Sequence, residues 1–127
     1  MLKDLDARPI LAVSDLDRAR RFYGETLGLI EDAADGEEDM LAYRTGSTRL
    51  TLYVSEFAGT NRANALVWPV DGGIEDVVAD LRGRGVTFER YDFPGTDYVD
   101  GIHIAGDARM VWFKDPDGNI LHLVQGM

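Results

Sequence analysis

The chain has 127 residues, of which 45% are hydrophobic, and it contains no cysteine. This length suffices for one globular domain with its own core, and the lack of thiols excludes cysteine nucleophiles, thiolate metal sites and disulfides. A formal net charge of -10 disfavours contact with phosphate backbones, so we expect no nucleic-acid partner. The N-terminal segment resembles neither a secretory signal nor a membrane span, which predicts a cytoplasmic protein without a membrane partner.

The first half of the chain has the pattern of a strand, a helix and three further strands. Residues 8–13 (RPILAV) form an apolar run, and apolar residues then recur at helical spacing up to Gly28, which follows the predicted helix. A short strand begins at Leu29. Two alternating runs joined at Gly46 and Ser47 predict a tight hairpin over residues 40–54.

The second half repeats this order. Residues 65–70 (ALVWPV) read as a strand and are followed by a helix that ends before Gly85. Residues 86–93 (VTFERYDF) alternate like a strand, and residues 94–107 are predicted to be a long loop. The closing stretch WFKDPDGNILHLVQ predicts a β-hairpin with a five-residue turn, Asp115 to Asn119.

The two halves match in spacing as well as in order. Val13 and Gly28 recur as Val70 and Gly85 at the same offset, and the closing strand of each half is similar, LTLY in the first and LHLV in the second. This agreement predicts an internal duplication of a βαβββ unit. The units span about residues 7–54 and 65–124 of one domain that covers residues 1–127.

The stretches ILAVSDLDRARRFYGETLGL and WFKDPDGNILHLVQ resemble the vicinal oxygen chelate superfamily. That superfamily includes glyoxalase I, extradiol dioxygenases, fosfomycin-resistance enzymes and bleomycin-resistance proteins. The resemblance covers essentially the whole chain and implies an α+β fold, in which two βαβββ units form curved mixed sheets. It also implies a homodimer in which units from both subunits complete each cup-shaped site.

In the family it resembles, metal ligands point inward from the first and last strand of each unit. The resemblance places these positions at Arg8, Thr51, Ala65 and His122, of which only His122 has a side chain suited to a metal. A catalytic metal needs about three protein ligands. We therefore expect no bound metal and no cofactor, and we expect His103, the only other histidine, to be an exposed loop residue.

Strand alternation identifies candidate ligand-binding residues. If Leu121 and Leu123 belong to the core, His122 faces inward, and the predicted turn places Trp112 opposite it. By the same alternation, Arg8 on the first strand and Arg49, Thr51 and Tyr53 on the fourth are predicted to face inward. The candidates for ligand binding are Arg8, Arg49, Thr51, Tyr53, Trp112 and His122.

Three further aromatic residues are candidates for a lid beside the predicted site. Tyr91, Phe93 and Tyr98 lie on the predicted strand 86–93 and on the loop after it. Connecting segments carry residues of this kind near binding sites more often than strands do.

Three hypotheses about function follow from these residues. The preferred one is a metal-free binding protein similar to bleomycin-resistance proteins, with a small organic ligand, cationic or aromatic, held in the sheet cup. The second is a glyoxalase- or dioxygenase-like enzyme that uses His122 as a catalytic acid or base, either without a metal or with a divalent metal held by His122 and Glu56 or His103. The third is a dimeric interaction module that binds no ligand.

Overall fold

The computed structural model describes residues 1–32 and 39–126. The chain forms two compact units, Met1–Gly59 and the segment from Thr60 onward. Each unit contains one β-sheet and one main helical segment. None of the helices in these ranges is long and apolar enough to cross a membrane.

The first unit has four strands and one helical segment. A short turn of 3-10 helix, Leu2–Asp4, precedes strand β1. The strands are β1 (Ile10–Val13), β2 (Ile30–Asp32), β3 (Met40–Thr45) and β4 (Thr48–Val54), and helix α1 (Leu16–Ala19) continues as a π-helical segment, Arg20–Thr26. The order in the sheet is β1-β4-β3-β2, with β1 parallel to β4 and the other pairs antiparallel.

Asp15 caps helix α1, and its carboxylate accepts a hydrogen bond from the Arg18 N–H at 3.0 Å. The helix then widens, because the N–H of Leu27 donates to the carbonyl of Phe22, five residues earlier, at 2.8 Å. Gly28 adopts a φ of 75°, a conformation that glycine reaches without steric cost, and this ends the helical segment where the sequence predicts.

Alternation along the strands separates the two faces of the first sheet. Leu50 and Leu52 of β4 are fully buried, whereas Thr51 between them is half-buried and Tyr53 is exposed. The buried face also carries residues from β1 and β3, namely Leu11, Val13, Leu41 and Tyr43. The parity predicted for β1 and β4 is therefore the observed one.

The second unit has five strands and one helix. The strands are β5 (Asn64–Val70), β6 (Asp97–Val99), β7 (Ile102–Ala105), β8 (Ala108–Lys114) and β9 (Ile120–Gln125), and the helix is α2 (Ile74–Gly83). They are ordered β5-β9-β8-β7-β6, with β5 parallel to β9 and the other pairs antiparallel. The apolar face of α2, formed by Ile74, Val78 and Leu81, is buried.

The turn between β8 and β9 is organised by one buried carboxylate. Asp115 accepts hydrogen bonds from the backbone N–H groups of Asp117 at 2.9 Å and Asn119 at 2.8 Å, and from the Asn119 side-chain amide at 2.8 Å. This Asx-type turn closes the hairpin so that Lys114 pairs with Ile120. The predicted hairpin and its register are confirmed.

Two predictions for the second unit are wrong. Residues 86–93 contribute only an isolated bridge between Phe88 and Phe113, and the predicted loop 94–107 contains β6 and β7. The reason is that β7 pairs with the first residues of β8, so that only the last residues of β8 remain available to pair with residues 86–93. Their alternation reflects mainly side-chain packing, as Val86 is buried and Phe88 contacts the ring of Phe113.

The fold class is α+β with two mixed sheets, as predicted. In each unit a strand leads into a helix, and the first strand pairs in parallel with the last. The second unit has one strand more than the predicted βαβββ order, since four strands rather than three follow its helix.

Candidate functional site

The last hairpin brings Trp112 and His122 together. They are direct partners in the register of β8 and β9. Their rings stack, with centroids 4.6 Å apart and planes inclined by 15°. Both side chains are buried, so the predicted pairing across the sheet produces an extended aromatic contact.

Asn64 holds the indole of Trp112 by a hydrogen bond. The register of β5 against β9 shifts between Asn64 and Leu66, so that Ala65 is an extra residue. Such a bulge redirects side chains. It allows the Oδ1 of Asn64 to accept a hydrogen bond from the Nε1 of Trp112 at 3.0 Å. Strict alternation along β5 places Asn64 on the sheet face opposite to Trp112 and His122, and the sequence therefore does not predict its contact with Trp112.

The hydrogen bond of His122 determines which ring nitrogen is free to act. Nδ1 lies 3.0 Å from the carbonyl oxygen of Val111, and because a carbonyl only accepts, Nδ1 carries the hydrogen. Nε2 of the neutral ring is then an acceptor. Burial lowers the pKa of His122, and the bond to Val111 opposes this effect, so the ring is neutral at pH 7.

An open cavity of about 460 Å³ lies beside His122 on this sheet. We call it the His122 cavity, and it is lined by Asn64, Ala65, Leu66, Val67, His122 and Val124. Val67, the partner of His122 in the register of β5 and β9, is 46% exposed. The cavity is mainly apolar, with His122 and Asn64 as its polar side chains.

His103 is not the exposed loop residue that the sequence predicts. It lies on β7 and is fully buried, with its ring centroid 4.9 Å from that of Trp112 at an interplanar angle of 85°. The sequence contains a signal for this position, because Gly106-Asp107 separates two alternating runs and indicates a two-residue hairpin. The structure forms that hairpin, with Ala105 paired to Ala108.

The aromatic residues predicted to form a lid pack around His103. Ring centroids of Tyr91, Phe93 and Tyr98 lie 6.2, 6.1 and 4.9 Å from the imidazole, respectively. Tyr91 and Phe93 also contact Trp112, at 5.4 and 5.5 Å. The three residues therefore form walls beside His103.

The remaining predicted ligand-binding residues belong to the first unit. Arg49, Thr51 and Tyr53 alternate along one face of β4, which the predicted parity requires. Arg8 is exposed and precedes β1, which begins at Ile10. Pro9 has no N–H to continue the ladder, and its carbonyl accepts from the Thr51 N–H at 3.1 Å.

The side chains at the four expected ligand positions do not fit the metal bound in the superfamily that the sequence resembles. Within residues 1–32 and 39–126, no three His, Asp or Glu side chains lie close enough together to hold a metal ion. The expected ligand positions contain a guanidinium, a hydroxyl and a methyl group at Arg8, Thr51 and Ala65. No step through a metal is therefore derived for this site.

Comparison with solved structures shows the same fold in several bacterial proteins. A glyoxalase family protein from Bacillus anthracis is 20% identical with a TM-score of 0.73, and the match covers 97% of each chain. A glyoxalase family protein from Enterococcus faecalis is 24% identical with a TM-score of 0.69, covering 98% of this chain and 99% of that one. Fosfomycin resistance protein FosX from Mesorhizobium loti is 17% identical with a TM-score of 0.67, covering 98% and 93%.

Sequence comparison agrees with this result. Virulence protein STM3117 of Salmonella typhimurium is 25% identical over 123 residues, which cover 91% of this chain and 80% of that protein. The sequence profile of the Glyoxalase/Bleomycin resistance protein/Dioxygenase superfamily matches residues 7–123. With a match over nearly its whole length and the same fold in its neighbours, this chain belongs to the Glyoxalase/Bleomycin resistance protein/Dioxygenase superfamily.

Proposed function

We propose that this protein binds a small organic molecule in the His122 cavity and does so without a metal. The observation that carries the proposal is the neutral imidazole of His122, whose Nδ1 donates to Val111 while Nε2 keeps its lone pair beside an open apolar cavity. Pockets that bind small molecules commonly combine apolar walls with a few fixed polar groups. His122 and Asn64 supply those groups here.

The chemistry of the cavity defines the class of ligand. Because Nε2 of His122 is an acceptor, the ligand brings an O–H or N–H donor, and because the remaining lining is apolar, it also brings a hydrophobic body. The net charge of -10 attracts cations over anions. An aromatic or aliphatic amine in its protonated form meets all three conditions.

The test compares two probes of similar shape and opposite charge. Phenethylamine is a protonated amine with one ring, and hydrocinnamate is the corresponding carboxylate. We expect phenethylamine to raise the melting temperature increasingly as its concentration rises above the Kd, and to shift the amide NMR signals of Val67 and His122, with hydrocinnamate doing neither. A protein that responds to neither probe, nor to the neutral donor ethylphenol, contradicts the proposal and favours an interaction module without ligand.

A second candidate function is proton transfer by His122. The lowered pKa of His122 keeps Nε2 unprotonated at pH 7, and the bond to Val111 together with the Trp112 stack holds the ring in one orientation. A general base needs this combination of free lone pair and fixed geometry. In such a step the ligand's C–H or O–H proton moves to Nε2, and the imidazolium returns it later in the cycle.

Proton transfer has its own test, which does not depend on tight binding. Phenylacetone exchanges its acidic C–H hydrogens for deuterium in deuterium oxide, and NMR follows the rate. We expect the protein to accelerate this exchange and His122→Gln to abolish the acceleration. Equal rates with the two proteins would leave binding as the function of the site.

A further inference from the structure

His103 contains a buried hydrogen-bond donor that has no partner within residues 1–32 and 39–126. The backbone N–H of Tyr91 donates to Nε2 of His103 at 2.9 Å, so Nε2 must carry a lone pair. In the neutral ring the hydrogen is therefore on Nδ1. Nδ1 has no hydrogen-bond partner among the described residues, and the side chain is 0% exposed. Buried polar groups in proteins are nearly always satisfied, so this exception requires an explanation.

The unpartnered imidazole borders a cavity that is separate from the His122 cavity. This His103 cavity has a volume of about 460 Å³ and shares no lining residue with the His122 cavity. It is lined by Arg90, Tyr91, Asp92, Phe93, Pro94, Thr96, Asp97, Tyr98 and His103. Its volume is in the range of pockets that hold small organic ligands.

Four aromatic rings, those of Tyr91, Phe93, Tyr98 and His103, form part of the lining of the His103 cavity. Tyr98 meets His103 edge to face, with centroids 4.9 Å apart, and Tyr91 lies roughly parallel to the imidazole at an angle of 28°. Phe93 is 45% exposed and leaves an apolar surface accessible to an incoming molecule. Ring faces and edges of this kind favour a flat aromatic guest.

Charges around the cavity disfavour an anionic guest, and the donor on Nδ1 of His103 requires a guest with an acceptor atom. Asp92 and Asp97 are among its lining residues, and Arg90 lies over the ring of Tyr98, with Cζ 4.7 Å from the ring centroid. That guanidinium covers one face of the Tyr98 ring, which is then not available to a ligand cation. The carboxylates and the net charge of -10 disfavour an anion.

We propose that the His103 cavity is a second ligand-binding site, which takes a neutral, flat aromatic molecule. The exposed ring of Phe93, which lies against the imidazole, moves aside as the molecule enters, and the carbonyl oxygen of the molecule then accepts a hydrogen bond from the otherwise buried Nδ1 of His103. The ligand supplies the partner that the protein lacks, and the aromatic walls supply the contact area. The site is independent of the function proposed for the His122 cavity, which requires a ligand with a donor group.

The test uses indanone, a flat two-ring ketone, and indane, which has the same skeleton without the carbonyl. In two-dimensional amide NMR of the full chain, we expect indanone to shift the signals of residues 91–98 and to move the Nδ1 resonance of His103. We expect indane to bind about fivefold more weakly, because it cannot accept the hydrogen bond.

Three variants separate the parts of the proposal. His103→Phe keeps a ring but removes the donor, and we expect it to bind indanone and indane equally. Phe93→Ala removes an accessible wall and is expected to weaken both probes, and it remains informative if His103→Phe does not fold, since Phe93 is exposed. Val67→Ser alters the His122 cavity and serves as the control, with indanone binding unchanged.

Two results overturn the proposal. Absence of any shift at residues 91–98 with millimolar indanone means that the cavity takes no such ligand. Equal affinity of the wild-type protein for indanone and indane means that Nδ1 of His103 is directed at an aromatic face and not at a ligand.

Discussion

The imidazole of His122 stacks on the indole of Trp112 with ring centroids 4.6 Å apart, and the indole is itself held by the amide oxygen of Asn64 at 3.0 Å. His122 therefore has two supports, the ring of Trp112 and the carbonyl of Val111. A side chain that is fixed on two sides has little rotamer entropy left to lose when it binds a ligand. The stack is the structural basis of the first two predictions.

The first prediction concerns the hydrogen bond between Asn64 and the indole of Trp112. Asn64→Ala leaves the Trp112 N–H without its acceptor, and we expect the free energy of unfolding to fall by about 1 kcal/mol and the indole N–H signal to move in NMR. Asn61→Ala is the matched control, because Asn61 is exposed and its side chain accepts only from the nearby Ala63 N–H. Equal effects of the two substitutions would show that the Asn64 bond adds nothing.

Replacing the imidazole tests the proposed ligand site. His122→Ala removes the only ring nitrogen that lines the His122 cavity, and we expect phenethylamine to bind roughly tenfold more weakly, equivalent to about 1.4 kcal/mol, with folding nearly intact. Val124→Ala trims the same cavity without removing a polar atom, and it is the control. A loss of several kcal/mol of stability with unchanged binding would identify His122 as a structural residue.

The pH dependence of stability follows from the pKa of the same residue. Burial lowers the pKa of His122 in the folded protein, while the unfolded value is about 6.5. Between these two values the unfolded chain binds a proton that the folded chain does not, so the free energy of unfolding decreases as the pH falls through this window and levels off below it. Urea unfolding of wild type and His122→Gln should show a smaller decrease for the variant, and parallel curves would contradict the lowered pKa.

We predict that the purified protein contains no stoichiometric transition metal. The residues at the expected ligand positions, Arg8, Thr51 and Ala65, are unsuited to bind one. Elemental analysis should find much less than one zinc, iron, nickel or manganese per chain, and a chelator should leave the melting temperature unchanged. A stoichiometric metal whose removal destabilises the fold would overturn this prediction.

We also predict a homodimer. The sheet face of the first unit that carries Thr51 has exposed apolar side chains at Ile10 and Ile30, which are 57% and 61% exposed. A stable interface of more than about 1,200 Å² would cover such residues. Sedimentation should give twice the chain mass of 14.1 kDa, and Ile10→Lys should shift it to the monomer, while Leu5→Lys, outside the sheet, should not. A wild-type monomer at micromolar concentration contradicts the prediction.

The two hairpins of the second unit differ in how strongly local residues specify them. The hairpin at the chain end was predicted correctly because its turn residues, Asp115 to Asn119, are hydrogen-bonded to one another and set the register locally. The β7–β8 hairpin is not predicted, although Gly106-Asp107 marks its turn, because the alternation of residues 86–93 also fits a strand and leaves residues 94–107 as a loop. A periodic pattern reports which side chains are buried and does not report which sheet edge is free.

By itself, the sequence determined the α+β class, the order of elements in the first unit and the pairing of Trp112 with His122, since these follow from local periodicity and turn chemistry, while its resemblance to known sequences indicated the family. Only the tertiary structure decided that His103 is buried beside Trp112 and that Asn64 holds the indole. Both depend on contacts between residues distant in the chain. A bulge in β5 directs Asn64 to the sheet face opposite to the one that strict alternation predicts. His103 lies in the sheet because β7, and not residues 86–93, pairs with the start of β8.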